Sequence, residues 1–139
     1  MTTKFQTIYN LTMYTSSVNK EDFNNETISF FDRKNVLVTG GSGFIGSHVI
    51  EQLIKLNANP IVITRNNKSI FLNNNSRDID ICIGNLFDKK LIKQCIKKSH
   101  IVMNLAASVA GIEYNKNHPA SIFKDNMEMF MNVIHEAAI

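Results

Sequence analysis

Three glycines spaced three residues apart are the clearest candidates for chemistry in this sequence. Gly40, Gly43 and Gly46 lie within VLVTGGSGFIG, which spans Val36 to Gly46, between a short apolar run and residues with helical periodicity. Glycine allows a sharp exit from a strand, a close approach of the backbone to a pyrophosphate, and close packing of a helix on a sheet. The amides of Ser42 to Ile45 would then point at the anion from a helix N-terminus. The same glycines could instead form a tight turn with only a structural role.

Four apolar runs, separated by helical or polar segments, indicate an α/β fold with a parallel sheet. The predicted strands are Val36–Val38, Ile61–Ile63, Ile79–Ile83 and Ile101–Leu105. The predicted helices run from Ile45 to about Leu56, from an Asp88 cap to about Lys98, and from Ala120 to Ala138. Right-handed crossovers give the strand order 3-2-1-4 of a Rossmann-type, doubly wound sheet, incomplete at about four strands. The short polar link from Asn66 to Asp78 is expected to lack a full helix.

Polar and small residues follow the later strands, where a doubly wound sheet binds its ligand. Arg65 follows the second strand, where an NAD-selective site has a carboxylate, so this guanidinium favours the 2′-phosphate of NADP while NAD stays possible. After the third strand, Asn85 could hydrogen-bond adenine and Leu86 could pack on it. The small Ala106 and Ala107 would let the backbone pass close to the nicotinamide ribose. Arg65 could also be an exposed loop residue without a role, and Asn85 an ordinary turn residue.

The composition is that of a globular chain of 139 residues, 44% hydrophobic and 19% charged, with a net charge of +3. The lysines between Lys89 and Lys98 are interpreted as a solvated helix face and not as a nucleic-acid patch. No apolar run is long enough for a membrane span, and the N-terminus does not resemble a secretion signal, so we expect a cytoplasmic chain that binds neither membranes nor nucleic acids. Cys82 and Cys95 are interpreted as buried free thiols in a reducing compartment, and no residue spacing indicates a metal site.

Residues 1–34 are polar and rich in Thr, Ser and Asn, without a sustained hydrophobic period. We interpret them as an N-terminal extension ahead of the N-terminal part of a Rossmann-type, dinucleotide-binding domain at residues 35–139. A helical turn is expected near Asn19 to Phe23, and Phe30 and Phe31 are expected to dock on the domain.

With these residues in place, the sequence resembles a known family. TGGSGFIGSH resembles the TGxxGxxG signature of the extended short-chain dehydrogenases/reductases, the nucleotide-sugar epimerase and dehydratase family. GNLFD is similar to that family's Gly-Asp-Leu after the third strand, with Asn85 in place of Asp, and NLAA at Asn104 to Ala107 resembles its HLAA stretch. SVAGIEYNKNHPASIFKDNM, Ser108 to Met127, resembles a segment of GDP-L-fucose synthases and related GDP-sugar epimerase-reductases. The resemblance covers about Asn35 to Ile139.

The resemblance implies that NADPH or NAD lies over the strand ends and that a sugar nucleotide binds in a second, smaller C-terminal domain. The implied pyrophosphate contacts are Gly40, Gly43, Phe44 and Ile45, with Arg65 at the 2′-phosphate. The implied contacts further along the cofactor are Asn85 and Leu86 at adenine, Ala106, Ala107 and Ser108 at the ribose side, and Asn126 near the nicotinamide half. Val109 to Gly111 would edge the substrate pocket. The resemblance also implies a nucleotide-sugar substrate, with a GDP-sugar favoured, and a homodimer for the complete enzyme.

The family's proton donor is a Tyr four residues before a Lys, and no tyrosine of this chain has that spacing. Tyr9, Tyr14 and Tyr114 are followed at that distance by Met, Val and His. In the family pattern the pair follows a further strand, beyond Ile139, so we assign no catalytic residue and expect this chain alone to be inactive.

The favoured interpretation is the NAD(P)-binding part of a nucleotide-sugar epimerase/reductase or dehydratase, truncated or encoded in part. Its fourth strand would then form an unpaired edge, and we expect a marginally stable, aggregation-prone product. The alternatives are a non-catalytic NAD(P)-binding or redox-responsive module, and a basic nucleic-acid binder, for which an aromatic platform is missing.

Overall fold

A computed structural model describes residues 18–65 and 78–139, in which helices pack on both faces of a parallel sheet. The strands are β1 (Asn35–Thr39), β2 (Asn59–Thr64), β3 (Asp80–Ile83) and β4 (Ile101–Asn104). The helices are α1 (Asn25–Phe31), α2 (Phe44–Lys55), α3 (Lys89–Lys97), α4 (Ile112–Asn117) and α5 (Pro119–Ala137), and a 3₁₀ turn at Lys20–Asp22 precedes them. The predicted absence of a helix between β2 and β3 concerns residues that lie almost entirely outside the described ranges.

The strand order is β3-β2-β1-β4, and all three neighbouring pairs are parallel, which confirms the predicted order. On the central strand, Val38 lies opposite Val62 of β2 and Met103 of β4. Since the strands are parallel, all four carboxyl ends lie along one edge of the sheet. This is the edge where sheets of this type bind their ligands.

Successive residues of β1 point to opposite faces of the sheet and supply both halves of the core. Val36 and Val38 are fully buried on the face covered by α2. Leu37 is fully buried on the other face, together with Ile92 of α3 and Val133 of α5. A continuous β-branched and aliphatic run is typical of a parallel strand covered on both sides.

Local sequence explains where the helices begin. The Asp88 carboxylate accepts a hydrogen bond from the Leu91 amide at 3.1 Å, as expected of the predicted N-cap. Pro119 begins α5, where its missing N–H has no helical acceptor to lose. Helix α4 was not predicted, because its six residues carry no apolar period and none of them is buried.

The described part of the extension, residues 18–34, contains more helix than its polar composition suggests. The 3₁₀ turn confirms the predicted helical turn, whereas α1, capped by Asn24 at the Thr27 amide, was not predicted. Phe31 packs against the core, as predicted. The prediction for Phe30 was wrong, since it is 56% exposed. Neighbouring residues of a helix point about 100° apart, so both rings cannot face the same core.

Because Phe31 packs on the core, its substitution measures how much the docking of α1 contributes to stability. We expect Phe31→Ala to lower the free energy of unfolding by about 2 kcal/mol, roughly half of what a fully buried Phe contributes. Phe30→Ala is the matched control and should change it by less than about 0.5 kcal/mol. Urea denaturation monitored by circular dichroism measures both. Equal losses in the two variants would contradict the docking of α1 on the core.

Candidate dinucleotide-binding site

The turn after β1 begins at a glycine that the backbone requires. Gly40 has a φ of +70°, in the left-handed region that favours glycine, which confirms the predicted sharp exit from the strand. A Cβ at this position would lie 2.9 Å from backbone atoms of Leu105 and Ala106. The turn therefore lies directly against the loop that follows β4.

The third glycine packs against the turn itself. A Cβ on Gly46 would collide with the Gly40 carbonyl oxygen and lie 2.7 Å from the Gly41 Cα. The atoms nearest to this position belong to the backbone of the preceding turn, so glycine lets the first turn of α2 pack closely against Gly40 and Gly41. The predicted role of Gly46 in packing the helix on the sheet stays a prediction.

The second glycine caps α2. The Gly43 amide donates to the Gly40 carbonyl, and the Gly43 carbonyl accepts from the Ser47 amide, both at 2.9 Å. The amides of Phe44, Ile45 and Gly46 precede this first intrahelical bond, so they are the donors that a helix N-terminus offers to an anion.

A buried threonine joins the ends of β1 and β4. The Thr39 hydroxyl is fully buried and donates to Asn104 Oδ1 at 2.5 Å. Thr39 Oγ1 also accepts hydrogen bonds from the amides of Leu105 and Ala106, both at 3.2 Å. The sequence analysis assigned no role to Thr39, although a hydroxyl at the end of a buried apolar strand must find partners.

The loop from Leu105 to Gly111, here called the β4 loop, contains neither helix nor strand. Asn126 of α5 holds its middle, because Asn126 Oδ1 accepts from the Ser108 amide at 2.6 Å and Asn126 Nδ2 donates to the Ser108 carbonyl at 3.1 Å. Asn115 Oδ1 accepts from the Ala110 amide at 3.3 Å. Side chains therefore fix the course of this loop.

In the turn after β3, Asn85 and Leu86 both form contacts within the protein. Asn85 Oδ1 accepts from the Phe87 amide at 2.9 Å, so the arrangement within the turn is that of an ordinary turn asparagine. The Leu86 side chain is 6% exposed and belongs to the core, and its carbonyl accepts from Asn132 Nδ2 at 3.0 Å. The next residue of the turn, Phe87, was not predicted to belong to the site, and its side chain is 42% exposed.

These turns surround a cleft of about 480 Å³ at the carboxyl edge of the sheet. The predicted residues that line it are Gly40, Ser42, Gly43, Arg65, Asn85, Leu86, Ala106, Ala107 and Ser108. The structure adds several that were missed, notably Thr64, Phe87, Asp125 and Met129. Asp125 and Met129 are four residues apart and therefore share a face of α5. The predicted helix from Ala120 to Ala138 includes both residues, so this spacing could have been recognised in the sequence.

Four predicted residues do not line the cleft. Phe44 and Ile45 carry side chains that are 65% and 67% exposed, and neither residue belongs to the lining. Gly46 packs on the turn, and Asn126 is hydrogen-bonded to the β4 loop.

A larger depression, of about 750 Å³, lies at the opposite edge of the sheet, beside the strand starts Asn35, Asn59 and Asp80. Size alone would favour it. However, ligands of doubly wound sheets bind beyond the carboxyl ends of the strands, where the helix N-terminus also lies. We therefore take the smaller cleft as the candidate site.

The cleft contains one charge of each sign among the described residues that line it. Arg65 is exposed at the end of β2, and Asp125 is half-buried on α5. The Thr64 hydroxyl lies 3.4 Å from Ser42 Oγ and so connects β2 to the glycine turn. A guanidinium in the same cleft as the glycine turn is suited to a phosphorylated ligand.

The two cysteines lie away from this cleft. Both are free thiols, but Cys95 is buried while Cys82 is only half-buried, so the burial prediction was right for one of them. Burial, and after it the contact with the Cys82 thiol, raises the pKa of Cys95 to about 12, so this thiol stays protonated at neutral pH. In residues 18–65 and 78–139 no cluster of three His, Cys, Asp or Glu could hold a metal ion. No helix within these ranges is long and apolar enough to cross a membrane.

The strand order and the cleft at the carboxyl edge define a Rossmann-type α/β protein. Residues 36–139 match the NAD dependent epimerase/dehydratase family. Because this match covers most of the chain, the chain belongs to that family.

Individual relatives agree with this assignment. The chain is 29% identical over 108 residues to a UDP-N-acetyl-alpha-D-glucosaminuronate decarboxylase of Bacillus cytotoxicus, covering 76% of this chain and 33% of the decarboxylase. An epimerase structure from Methanothermobacter thermautotrophicus is 28% identical with a TM-score of 0.69, covering 81% of this chain and 34% of that one. A UDP-glucose 4-epimerase from Thermus thermophilus, solved as a complex with NAD, is 26% identical with a TM-score of 0.61, covering 73% and 33%. This chain therefore spans about a third of the length of these relatives.

Proposed function

We propose that this chain is the NAD(P)-binding part of a nucleotide-sugar epimerase/reductase or dehydratase. The observation that carries the proposal is the meeting of the glycine turn, the ends of β2 and β3, and the β4 loop in one cleft. A pyrophosphate would lie on the amides at the start of α2, with the adenosine toward Arg65 and Asn85. The nicotinamide ribose would lie along the β4 loop from Ala106 to Ser108. The cleft volume falls within the usual range of small-molecule sites.

When bound, the nicotinamide exchanges a hydride with the substrate, and the protein supplies position and electrostatics. The backbone of this chain would orient the cofactor through Gly40, Gly43 and the β4 loop. We assign no proton donor or acceptor for the sugar to the residues of this chain.

We propose NADP as the preferred cofactor. Arg65 supports this preference, because a guanidinium at the end of the second strand can pair with a 2′-phosphate through two parallel hydrogen bonds. The family description and the Thermus relative both name NAD, which makes NAD the competing ligand in any test.

We propose a nucleoside-diphosphate sugar as the substrate of the whole protein. The resemblance of Ser108 to Met127 supports a GDP-sugar, whereas the Bacillus and Thermus relatives carry UDP-sugars in their names. We also propose that the whole protein pairs as a homodimer through α5. In support, α5 carries exposed apolar side chains, including Phe123 at 68% and Met131 at 53%.

The proposed role of Arg65 predicts that changing this residue reverses the preference for NADPH over NADH. In the unmodified chain we expect NADPH to bind about tenfold more tightly than NADH, since a charged hydrogen bond contributes about 1.5–3 kcal/mol and Arg65 is exposed. Arg65→Asp should weaken NADPH and strengthen NADH, because a carboxylate repels the 2′-phosphate and accepts from ribose hydroxyls. Fluorescence titration of both reduced cofactors measures the two dissociation constants.

The control for this titration is Lys90→Asp, an equal change of charge on the exposed start of α3. It should leave the ratio of the two dissociation constants unchanged. If Arg65→Asp changes the affinities for NADPH and NADH equally, Arg65 provides only general attraction and the NADP assignment is wrong. If the unmodified chain binds neither cofactor, the proposed function itself fails.

A further inference from the structure

One wall of the candidate cleft is built from a loop that has no regular hydrogen bonding of its own. The β4 loop contributes Leu105 to Val109 to the lining, and most of these residues are exposed. Val109, at 76% exposure, shows how little packing holds the middle of the loop. A loop of this kind is ordered only where other groups bond its backbone.

The groups that do so come from three different elements. Thr39 Oγ1 accepts the first two amides of the loop, Asn126 bonds both the amide and the carbonyl of Ser108, and Asn115 Oδ1 accepts the Ala110 amide. The bonds from Asn126 are the central pair, and they resemble the two bonds that one strand residue makes to its neighbour. Asn126 and Ser108 are eighteen residues apart in the chain.

The geometry also limits what Asn126 can do directly. Its oxygen and its nitrogen both face the Ser108 backbone, at 2.6 Å and 3.1 Å, and Asn126 does not line the cleft. Asp125 and Met129, which flank it on α5, are the helix residues that face the cleft. In this arrangement the Asn126 amide acts on the cleft through the Ser108 backbone.

We infer that Asn126 is a positioning residue that holds Ala107 to Val109 in the conformation needed by the nicotinamide half of the cofactor. This inference rests on the proposed function, and it replaces direct cofactor contact by Asn126. The bonds order the loop before the ligand arrives, so that binding does not have to supply this ordering. The adenosine and pyrophosphate parts lie against other elements and do not depend on it.

The test compares NADH with ADP, which lacks the nicotinamide half, on the full 139-residue chain. Asn126→Leu removes both bonds to Ser108. We expect it to weaken NADH about five- to tenfold, the effect of losing about one net hydrogen bond of ordering, while ADP affinity changes less than about twofold. Lys124→Ala, on the exposed side of α5, is the matched control and should change neither affinity. Calorimetric titration measures both ligands.

A second variant guards against misfolding of the first. Asn126→Asp has the same shape and keeps an acceptor for the Ser108 amide, but its carboxylate cannot donate to the Ser108 carbonyl. The loss of NADH affinity should shrink as the pH falls toward the pKa of the new carboxyl, because the protonated acid regains a donor. A residue with a purely structural role would show no such recovery.

Hydrogen exchange of the Ser108 amide tests, without any ligand, whether Asn126 holds the β4 loop. Exchange should be faster in Asn126→Leu, which has no acceptor for this amide, than in the unmodified chain, and unchanged in Lys124→Ala. If the unmodified chain binds neither NADH nor ADP, the proposed function fails. The exchange rates would still show whether Asn126 holds the Ser108 backbone. The positioning role is wrong if NADH and ADP are lost equally, or if exchange at Ser108 does not change.

Discussion

Alanine at position 46 is expected to destabilise the protein by about 3 kcal/mol, the upper range for overpacking in a rigid site. The added Cβ of Gly46→Ala would collide with the Gly40 carbonyl oxygen and lie 2.7 Å from the Gly41 Cα. All the atoms it meets belong to the backbone, so no side chain can rotate away to make room. Relief would require α2 to separate from the glycine turn, and dinucleotide binding would be lost with it. Thermal and urea denaturation measure the stability.

Two other glycines provide graded controls for this prediction. A Cβ on Gly43 meets only the Gly40 carbonyl oxygen, at 3.2 Å, whereas a Cβ on Gly111 meets nothing within 4 Å. Gly43→Ala should therefore cost little stability but place a methyl group where we propose that the pyrophosphate binds. We expect it to lower cofactor affinity by about 1–3 kcal/mol, which corresponds to about 5- to 150-fold. Gly111→Ala should leave the stability unchanged. If Gly46→Ala is as stable as Gly111→Ala, the described contact between α2 and the turn is wrong.

Thr39→Val is expected to produce the second largest effect, a loss of about 2–4 kcal/mol in the free energy of unfolding. Valine has the shape of threonine but no hydroxyl, so the amide of Ala106 and the oxygen of Asn104 lose a bond at the site that joins β1 to β4. Leu105 retains a longer bond, at 3.3 Å, to the Thr39 carbonyl. Because the β4 loop starts at this point, cofactor affinity should fall together with stability.

Thr39→Ser is the matched control, since it keeps the hydroxyl and removes only a methyl group. It should cost about 1 kcal/mol and leave the cofactor affinity close to that of the unmodified chain. Urea denaturation and NADPH titration of both variants separate the two contributions. Equal destabilisation by valine and serine would contradict the role of the hydroxyl as the link between the strands.

The sheet could be predicted from the sequence because its causes are local. Each strand is a short β-branched or aliphatic run, and the glycines after Val38 mark where the first strand ends. The order 3-2-1-4 then follows from the handedness of the crossovers and from the doubly wound arrangement. The cap at Asp88 was equally local, because an aspartate before an amphipathic run can bond the amide three residues later.

The site was predicted less completely, because its bonds join residues far apart in the chain. Thr39 and Asn104 are 65 residues apart, and no periodic pattern in the sequence connects them. The strand β3 ends at Ile83, and the turn that follows directs Leu86 into the core and leaves Phe87 exposed. Asn126 was assigned by resemblance to a place near the cofactor, and the structure shows that its amide faces the loop.

The family assignment and the site geometry lead to one central claim, that the cleft at the carboxyl edge of the sheet binds a dinucleotide. Amide NMR spectra of the full chain during titration with NADPH test it most directly. We expect shift changes confined to the glycine turn at 40–46, the end of β2 at 64–65, the turn at 84–87 and the β4 loop, with Gly43→Ala suppressing them. Shift changes centred on Asn35, Asn59 and Asp80 at the opposite edge, or no change at millimolar NADPH, would contradict it.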